Sequence, residues 1–169
     1  EVNPLFKAGY DTGGETLVTV VFTNGSRQNI KSNEGFFFGG GVSIVSDDGT
    51  IESELSLSYK AGLISASNGE VSWSRWPIDA LVFYRWPQLR LGGGLTYHLN
   101  PSLNGDGVAS GINVNFEDSL GYIVQGDWRI TPKINLGLRY TNVDYKLVNG
   151  NKINAAGAIL AGGLHPACR

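Results

Sequence analysis

The chain has almost no cysteine or histidine, no methionine and no long hydrophobic run. Of its 169 residues one is a cysteine, Cys168, and two are histidines. A single cysteine cannot form a disulfide within the chain, and no cysteine-rich metal motif exists. No apolar stretch approaches the roughly 18 residues of a membrane-spanning helix. We therefore expect no metal, no cofactor and no helical membrane span.

Charge is also scarce, and neither sign dominates. Charged residues make up 17% of the chain and the formal net charge is -2, whereas average soluble domains have roughly 25% charged residues. Lysine and arginine form no patch, so we expect no nucleic-acid partner. The length favours one domain over residues 1–169. Glu1 in place of an initiator methionine predicts a mature chain whose signal peptide was removed.

Glycine and turn sequences, by contrast, are abundant. The chain has 24 glycines, and its Asn-Gly, Asp-Gly and proline-containing sequences are typical of hairpin turns. Turns are predicted at residues 23–26, 46–50, 67–70, 86–88, 100–111, 131–133 and 149–151. These turns separate eight segments, which is the pattern of an up-and-down barrel. The sequence therefore predicts an all-β, eight-stranded antiparallel fold.

The segments alternate between apolar and polar residues over unusual lengths. In residues 51–63, for example, Leu55 and Leu57 share one face, and Glu52 and Glu54 share the other. Ordinary strands have about five or six residues, whereas strands of about ten residues, tilted by about 45°, cross a bilayer. The lengths therefore predict a transmembrane β-barrel.

Some segments depart from regular alternation. Residues 5–22 are interrupted by Gly13-Gly14, where we expect a bulge or a bend. Residues 112–130 are predicted as one strand, although Ile123 breaks its pattern, and residues 134–147 change apolar phase near Asn142. Residues 153–164 form the last segment, which is rich in small residues.

Aromatic placement helps to separate a membrane barrel from a soluble barrel that binds a hydrophobic ligand, because both alternate. One face of residues 76–86 has aromatic residues at both ends and aliphatic residues between them. Membrane barrels have aromatic girdles at both interfaces, since amphipathic rings suit the headgroup level. A chance cluster of core aromatics is the alternative. The predicted girdle residues are Trp76, Tyr84, Trp86, Tyr97, Tyr122 and Trp128.

The polar face combines glycine with charges of both signs. The interior of an eight-stranded barrel is just wide enough for side chains, so long charged residues there need small neighbours and opposite charges. A solvated outer face would explain the polarity but not the glycines. The sequence therefore predicts a charge network in the barrel interior, the lumen, formed by Glu52, Glu54, Lys60, Arg75, Asp79, Arg85, Arg90, Glu117, Asp127, Arg129 and Arg139.

This pattern resembles the small eight-stranded outer-membrane barrels of the OmpX and OmpA transmembrane-domain type, over nearly the whole chain. The resemblance implies a Gram-negative outer-membrane location, outer-membrane lipid and lipopolysaccharide as partners, a monomer, and a structural, adhesive or narrow-pore role. The short turns at 46–50, 86–88 and 131–133 would then be periplasmic. Such proteins usually end on an aromatic residue, whereas this chain ends His165-Pro166-Ala167-Cys168-Arg169.

A narrower resemblance concerns residues 115–121, Asn-Phe-Glu-Asp-Ser-Leu-Gly, and residues 136–140, Leu-Gly-Leu-Arg-Tyr. They are similar to the C-terminal half of PagL, the outer-membrane lipid A deacylase. That family uses a His and a Ser close together on the strand after this Arg. The matching stretch from Tyr140 to Tyr145 contains neither, so the activity is not carried over.

His98, on a polar strand face, is the other candidate for catalysis. A catalytic base needs a nucleophile within hydrogen-bond reach, and the sequence places none beside it. We expect His98 to be a hydrogen-bonded lumen residue, and we predict no catalytic residue. A lipid-modifying enzyme remains the alternative function.

Overall fold

The computed structural model of the chain consists of β-strands and turns. It describes residues 1–21, 25, 27–66, 69–107, 110–111, 113–147, 152–154 and 157–164. No helix in these segments could span a membrane. The strands are β1 (Val2–Gly13), β2 (Thr16–Val21), β3 (Arg27–Lys31), β4 (Gly35–Val45), β5 (Ile51–Ala66), β6 (Gly69–Arg85), β7 (Leu89–Gly107), β8 (Asn113–Asn115), β9 (Ser119–Thr131), β10 (Ile134–Lys146), β11 (Lys152–Asn154) and β12 (Gly157–Leu164).

Eight of these strands close into a barrel. The order around the ring is β1, β4, β5, β6, β7, β9, β10 and β12, and every neighbouring pair is antiparallel. The ring closes between β1 and β12, from Phe6 opposite Leu164 to Gly13 opposite Gly157. Barrel strands adjacent in the chain are adjacent in the ring. The predicted all-β, eight-stranded antiparallel up-and-down barrel is therefore confirmed.

Apolar side chains face outward along most of the barrel. In β6 and β10 successive residues alternate between exposed and buried along the strand. Val82 and Leu138 are 53% and 66% exposed, whereas Asp79 and Arg139, on the opposite face, are buried. A soluble protein would turn these faces the other way. Lipid around the barrel accounts for the apolar exterior, because charged groups are costly on a lipid-facing surface.

The two faces exchange polarity at the barrel end opposite the short turns, which we call the outer end. In β10, Val143 and Tyr145 are buried while Asp144 and Lys146 are exposed. Buried and exposed residues continue to alternate along β10 there. The change near Asn142 is therefore in which face is apolar, and not in the direction of the side chains. Beyond this residue the interior becomes apolar, and the exposed Asp144 and Lys146 suit water rather than lipid outside the barrel.

A cluster of apolar side chains fills the outer end, and we call it the apolar plug. The rings of Trp73 and Tyr145 meet edge to face with centroids 5.3 Å apart, a favourable geometry for aromatic pairs. The outer end is therefore packed like the interior of a soluble protein. The plug consists of Val71, Trp73, Leu103, Phe116, Val143 and Tyr145.

The prediction that residues 5–22 form one segment of the barrel is wrong. The chain leaves the barrel where β1 ends, because Gly13 and Gly14 adopt φ values of 108° and 87°, which side chains disfavour. β2 and β3 then pair with each other in a separate antiparallel sheet. The expected bend lies at these glycines. The turn predicted at 23–26 lies outside the described residues except for Gly25.

The predicted loop at 100–111 is also wrong over most of its length, because residues 100–107 continue β7. The register between β6 and β7 shifts here, and Asn100, with a φ of 47°, precedes Pro101. The Asn-Pro sequence therefore marks a bulge rather than a turn. Past the bulge the opposite set of residues faces inward, which places Leu103 in the apolar plug.

Two further predicted segments each contain two strands instead of one. The segment predicted at 112–130 contains β8 and β9, and Phe116 between them is buried in the apolar plug rather than facing lipid. Ile123 breaks the sequence pattern because it faces the lumen, where it is buried beside Leu81. In the segment predicted at 153–164, the described residues belong to β11 and β12. The turn predicted at 149–151 lies outside the described residues.

Candidate functional site: the barrel lumen

Arg90 on β7 is the centre of one ion-pair cluster in the lumen. Its Nε donates to Asp127 Oδ2 at 2.6 Å, and its Nη1 lies 3.1 Å from Glu52 Oε1 and also pairs with Glu54. The guanidinium carbon lies 4.2 Å from the centroid of the Phe83 ring. All five side chains are buried. A planar group with five donors can serve three carboxylates and an aromatic face at once, which lysine cannot do.

Asp79 on β6 is the centre of a second cluster. Lys7 Nζ and Arg139 Nη1 each lie 2.9 Å from Asp79 Oδ2, and Thr96 Oγ1 donates to Oδ1 at 2.6 Å. Arg139 also donates from Nε to Gln125 at 2.7 Å. Both β1 and β10 lie three places from β6 around the ring, on opposite sides. The ion pairs therefore cross the lumen.

The connection between β3 and β4 covers the lumen toward the outer end. Lys60 Nζ pairs with Asp11 and donates to Asn33 Oδ1 at 2.8 Å. The indole of Trp73 donates to the carbonyl oxygen of Ser32 at 2.9 Å. Ser32 and Asn33 are both buried. The barrel mouth is therefore covered by the chain's own backbone and side chains.

Arg75 and His98 lie between the charged clusters and the apolar plug. Arg75 is buried, and its guanidinium carbon lies 5.1 Å from the centroid of the Trp73 ring. Within the described part of the chain it has no ion pair. His98 is 2% exposed, and its Nδ1 lies 2.5 Å from the hydroxyl oxygen of Tyr145. The histidine is thus paired with a tyrosine inside the protein and is not open to a lipid substrate.

The structure brings together most of the predicted network. Arg85 and Arg129 are only half-buried, near the short turns, and Arg85 Nε lies 3.3 Å from Glu52 Oε2. The placement of Glu117 in the lumen is wrong, because it lies in the exposed connection between β8 and β9. The predicted residues that are buried in the lumen are Glu52, Glu54, Lys60, Arg75, Asp79, Arg90, Asp127 and Arg139.

Sequence analysis missed Lys7 and Asp11, which supply a cation and a carboxylate to the lumen. Both lie on β1, in the segment 5–22 that Gly13-Gly14 interrupts. Leu5, Lys7 and Asp11 share one face with period two, and that spacing could have identified them.

The predicted girdle residues are all exposed, from 40% for Tyr97 to 57% for Trp128. Tyr84, Trp86 and Trp128 lie near the short turns, and the Tyr84 and Trp86 rings have centroids 4.6 Å apart. The other three are Trp76, Tyr97 and Tyr122. They lie farther from the short turns along their strands, just before the position at which the two faces exchange polarity. The girdle residues thus fall into two groups separated by aliphatic side chains.

Glycines in β7 make room for large side chains in the lumen. A Cβ at Gly92 would lie 2.1 Å from Val82 O and 2.7 Å from Phe83 Cδ1, and one at Gly94 would lie 2.0 Å from Ala80 O. These glycines relieve crowding inside a strand, as expected from the glycines of the polar face.

Free space in the described part of the lumen differs between its centre and the end near the short turns, where a cavity of about 140 Å³ is lined by Glu52, Arg85, Arg129 and Asn135. A cavity of about 10 Å³, bordered by Lys60, Thr96, His98 and Arg139, is at the lower limit for one water molecule. The described residues include no group of histidine, cysteine and carboxylate side chains that could hold a metal ion.

No protein-family model matches the chain, and no curated protein matches it. Its structure is similar to that of Ail, the attachment invasion locus protein of Yersinia pestis, in complex with the heparin analogue sucrose octasulfate. The TM-score is 0.62 at 10% sequence identity, covering 98% of each chain. A second crystal structure of Ail gives a TM-score of 0.59 at 11% identity, covering 97% of this chain and 96% of Ail.

A crystal structure of Neisserial surface protein A gives a TM-score of 0.49 at 12% identity, covering 96% of this chain and 95% of that chain. Ail is a small eight-stranded outer-membrane β-barrel. At such low identity the likeness to Ail shows the fold, and it is the fold that the resemblance to the OmpX and OmpA type implied. The chain therefore has the architecture of a small Gram-negative outer-membrane β-barrel, as predicted.

Proposed function

We propose that this protein is a non-enzymatic outer-membrane barrel with a closed lumen, which anchors the water-exposed β-structure of its outer end. The observation that carries the proposal is the pair of ion clusters around Arg90 and Asp79, which cross the interior. The interior of an eight-stranded barrel is narrow enough for side chains to fill, and the connection at Ser32 and Asn33 covers one mouth.

The energetics of buried charge favour a closed lumen over a narrow pore. Opening a water path past Asp79 would separate it from Lys7 or Arg139, both at 2.9 Å. Breaking a buried ion pair on one side leaves an uncompensated charge and costs about 3–5 kcal/mol. The network therefore stabilises the closed state.

The geometry gives less support to a lipid-modifying enzyme. Hydrolysis of a lipid ester needs a base, a nucleophile and access for the substrate. His98 is buried and contacts Tyr145. An assay for fatty acid released from lipid A or phospholipid tests this alternative, and release that disappears in His98→Ala would support the enzyme.

The outer end provides the surface that a partner would meet. It carries more acidic than basic residues, so we expect it to repel polyanions, unlike Ail, which was crystallised with sucrose octasulfate. Absence of retention on a heparin resin would agree with this expectation. The acidic residues are Glu15, Glu34, Glu70, Asp106, Glu117, Asp118 and Asp144, and the basic residues are Arg27, Lys31, Lys146 and Lys152.

Single-channel recording from the purified, refolded protein in planar bilayers tests the closed lumen. We expect no reproducible openings of porin size from the unmodified chain. Arg139→Gln, which removes one cation that crosses the lumen to Asp79, should increase leakage. Steady porin-sized conductance of the unmodified chain would overturn the proposal and make transport the leading function.

A further inference from the structure

An apolar groove of about 720 Å³ lies on the outside of the barrel over β1, β4 and β5, and it extends to Trp76 on β6, Gly163 on β12 and Ile134 on β10. Its floor includes Ala8 and Gly40, where small residues leave a depression between larger neighbours. The aromatic and aliphatic side chains around it are largely exposed, including Phe38 at 63% and Trp76 at 45%. The groove borders Phe6, Phe38, Leu57, Tyr59 and Trp76.

Gly40 keeps this groove open although the fold does not require glycine there. A Cβ at Gly39 would lie 2.4 Å from Leu57 O, and one at Gly41 would lie 2.1 Å from Leu55 O, so both glycines are needed for strand packing. At Gly40 the nearest atom to an added Cβ is Leu5 O at 3.4 Å, an ordinary contact. A side chain would fit at Gly40, and it would fill the groove.

We propose that this groove holds an acyl chain of a membrane lipid as a specifically bound ligand. The inference rests on the membrane location of the barrel, because the groove is continuous with the apolar exterior that faces lipid. An apolar depression excludes water and gains contacts only when a hydrocarbon chain fills it. The aromatic wall at Tyr59 and Trp76, whose ring centroids lie 4.8 Å apart, would hold the chain at its side.

Quenching of Trp76 fluorescence measures this binding. In a Trp86→Phe, Trp128→Phe background, the remaining indoles are Trp76 in the groove and Trp73, which is fully buried. The detergent-solubilised protein is titrated with phosphatidylethanolamine whose acyl chains are brominated. We expect saturable quenching, with one lipid retained per barrel in native mass spectrometry.

Gly40→Leu fills the groove and should abolish both the saturable quenching and the retained lipid. Gly126→Leu is the matched control, because this glycine pairs with outward-facing Leu91 across β7 and β9, away from the groove. An added Cβ at Gly126 meets nothing closer than Leu91 Cδ1 at 3.4 Å. Gly126→Leu should therefore bind the brominated lipid as the unmodified protein does.

Three results would overturn the proposal. The first is quenching without saturation in the unmodified groove, which would indicate annular lipid only. The second is equal binding by Gly40→Leu and Gly126→Leu. The third is a dimer in detergent that Gly40→Leu dissociates, which would make a second copy of the chain the occupant.

Heat-modifiable gel mobility reports separately on barrel folding, so failure of the lipid-binding proposal and failure of the membrane-barrel proposal are distinguishable. If Gly40→Leu does not fold, Gly40→Val provides the same test.

Discussion

Removing Arg90 should destabilise the barrel strongly, and the lumen geometry sets the magnitude. Arg90→Ala leaves the buried carboxylates of Glu52, Glu54 and Asp127 without their common cation. Loss of one partner from a buried ion pair costs about 3–5 kcal/mol. Glu52 retains Arg85 nearby, which favours the lower part of that range. We therefore expect the free energy of unfolding to fall by about 3–5 kcal/mol.

Urea-dependent folding into lipid vesicles, followed by gel mobility and tryptophan fluorescence, measures this loss. Arg85→Ala is the matched control, because the Arg85 side chain is 20% exposed and has one carboxylate contact, at 3.3 Å. Arg85→Ala should cost less than Arg90→Ala, because Glu52 keeps its contact with Arg90 at 3.1 Å. Adding Glu54→Gln to Arg90→Ala should recover part of the loss, since it removes one unpaired charge. Equal effects of Arg90→Ala and Arg85→Ala would refute the reasoning.

Three further outcomes are expected. Leu95→Arg places a cation on the lipid face, where Leu95 is 56% exposed, and should lower the unfolding free energy by about 2–4 kcal/mol near the bilayer midplane. Gly39→Ala should cost about 1–3 kcal/mol by overpacking, because the added Cβ would lie 2.4 Å from a backbone oxygen of β5; the same urea titration measures both changes. Hydrogen bonds from Ser46 and Thr50 lower the pKa of Asp48 to about 2, so this turn should keep its stabilisation above about pH 4 and lose it as the pH falls toward 2, which carboxyl NMR titration follows.

Each of these outcomes has a control. Leu95→Phe keeps the lipid face apolar and should be nearly neutral, so equal losses for Leu95→Arg and Leu95→Phe would contradict the outward placement. Gly40→Ala has room for its Cβ, and a penalty as large as that of Gly39→Ala would contradict the crowding argument. Titration of Asp48 with a midpoint near that of a free aspartate would show that the turn hydrogen bonds do not form in solution.

Much of the barrel could be predicted because a transmembrane strand repeats one simple rule. Every second residue must be compatible with lipid, and the strand must be long enough to cross the bilayer. These requirements appear directly in residues 51–63 and 76–86 of the sequence. Strand boundaries at the outer end were not predictable in this way, because no lipid constrains the outer face there. The division of residues 112–130 and the extension of β7 past Asn100 both fall in that region.

The lumen was predictable in composition but not in its pairing. Alternation identifies which charged residues share the inner face, as for Asp79 and Arg139. It cannot show that Arg139 reaches Asp79 across the barrel, since the two residues are 60 positions apart. Nor does it show that Arg75 lacks an ion pair among the described residues while Arg90 has three. These differences depend on strand order and register.

The sequence alone determined the class of the fold and the two faces of its strands, since lipid outside and a narrow interior act on every second residue independently of distant contacts. Tertiary structure decided where that rule ends and how charges pair. The exchange of polarity near Asn142 and the cover formed by Ser32 and Asn33 depend on the assembled barrel, and the bulge at Asn100 depends on the register between β6 and β7. The closed barrel brings charges from opposite sides within hydrogen-bond distance, and no local pattern along the chain records that distance.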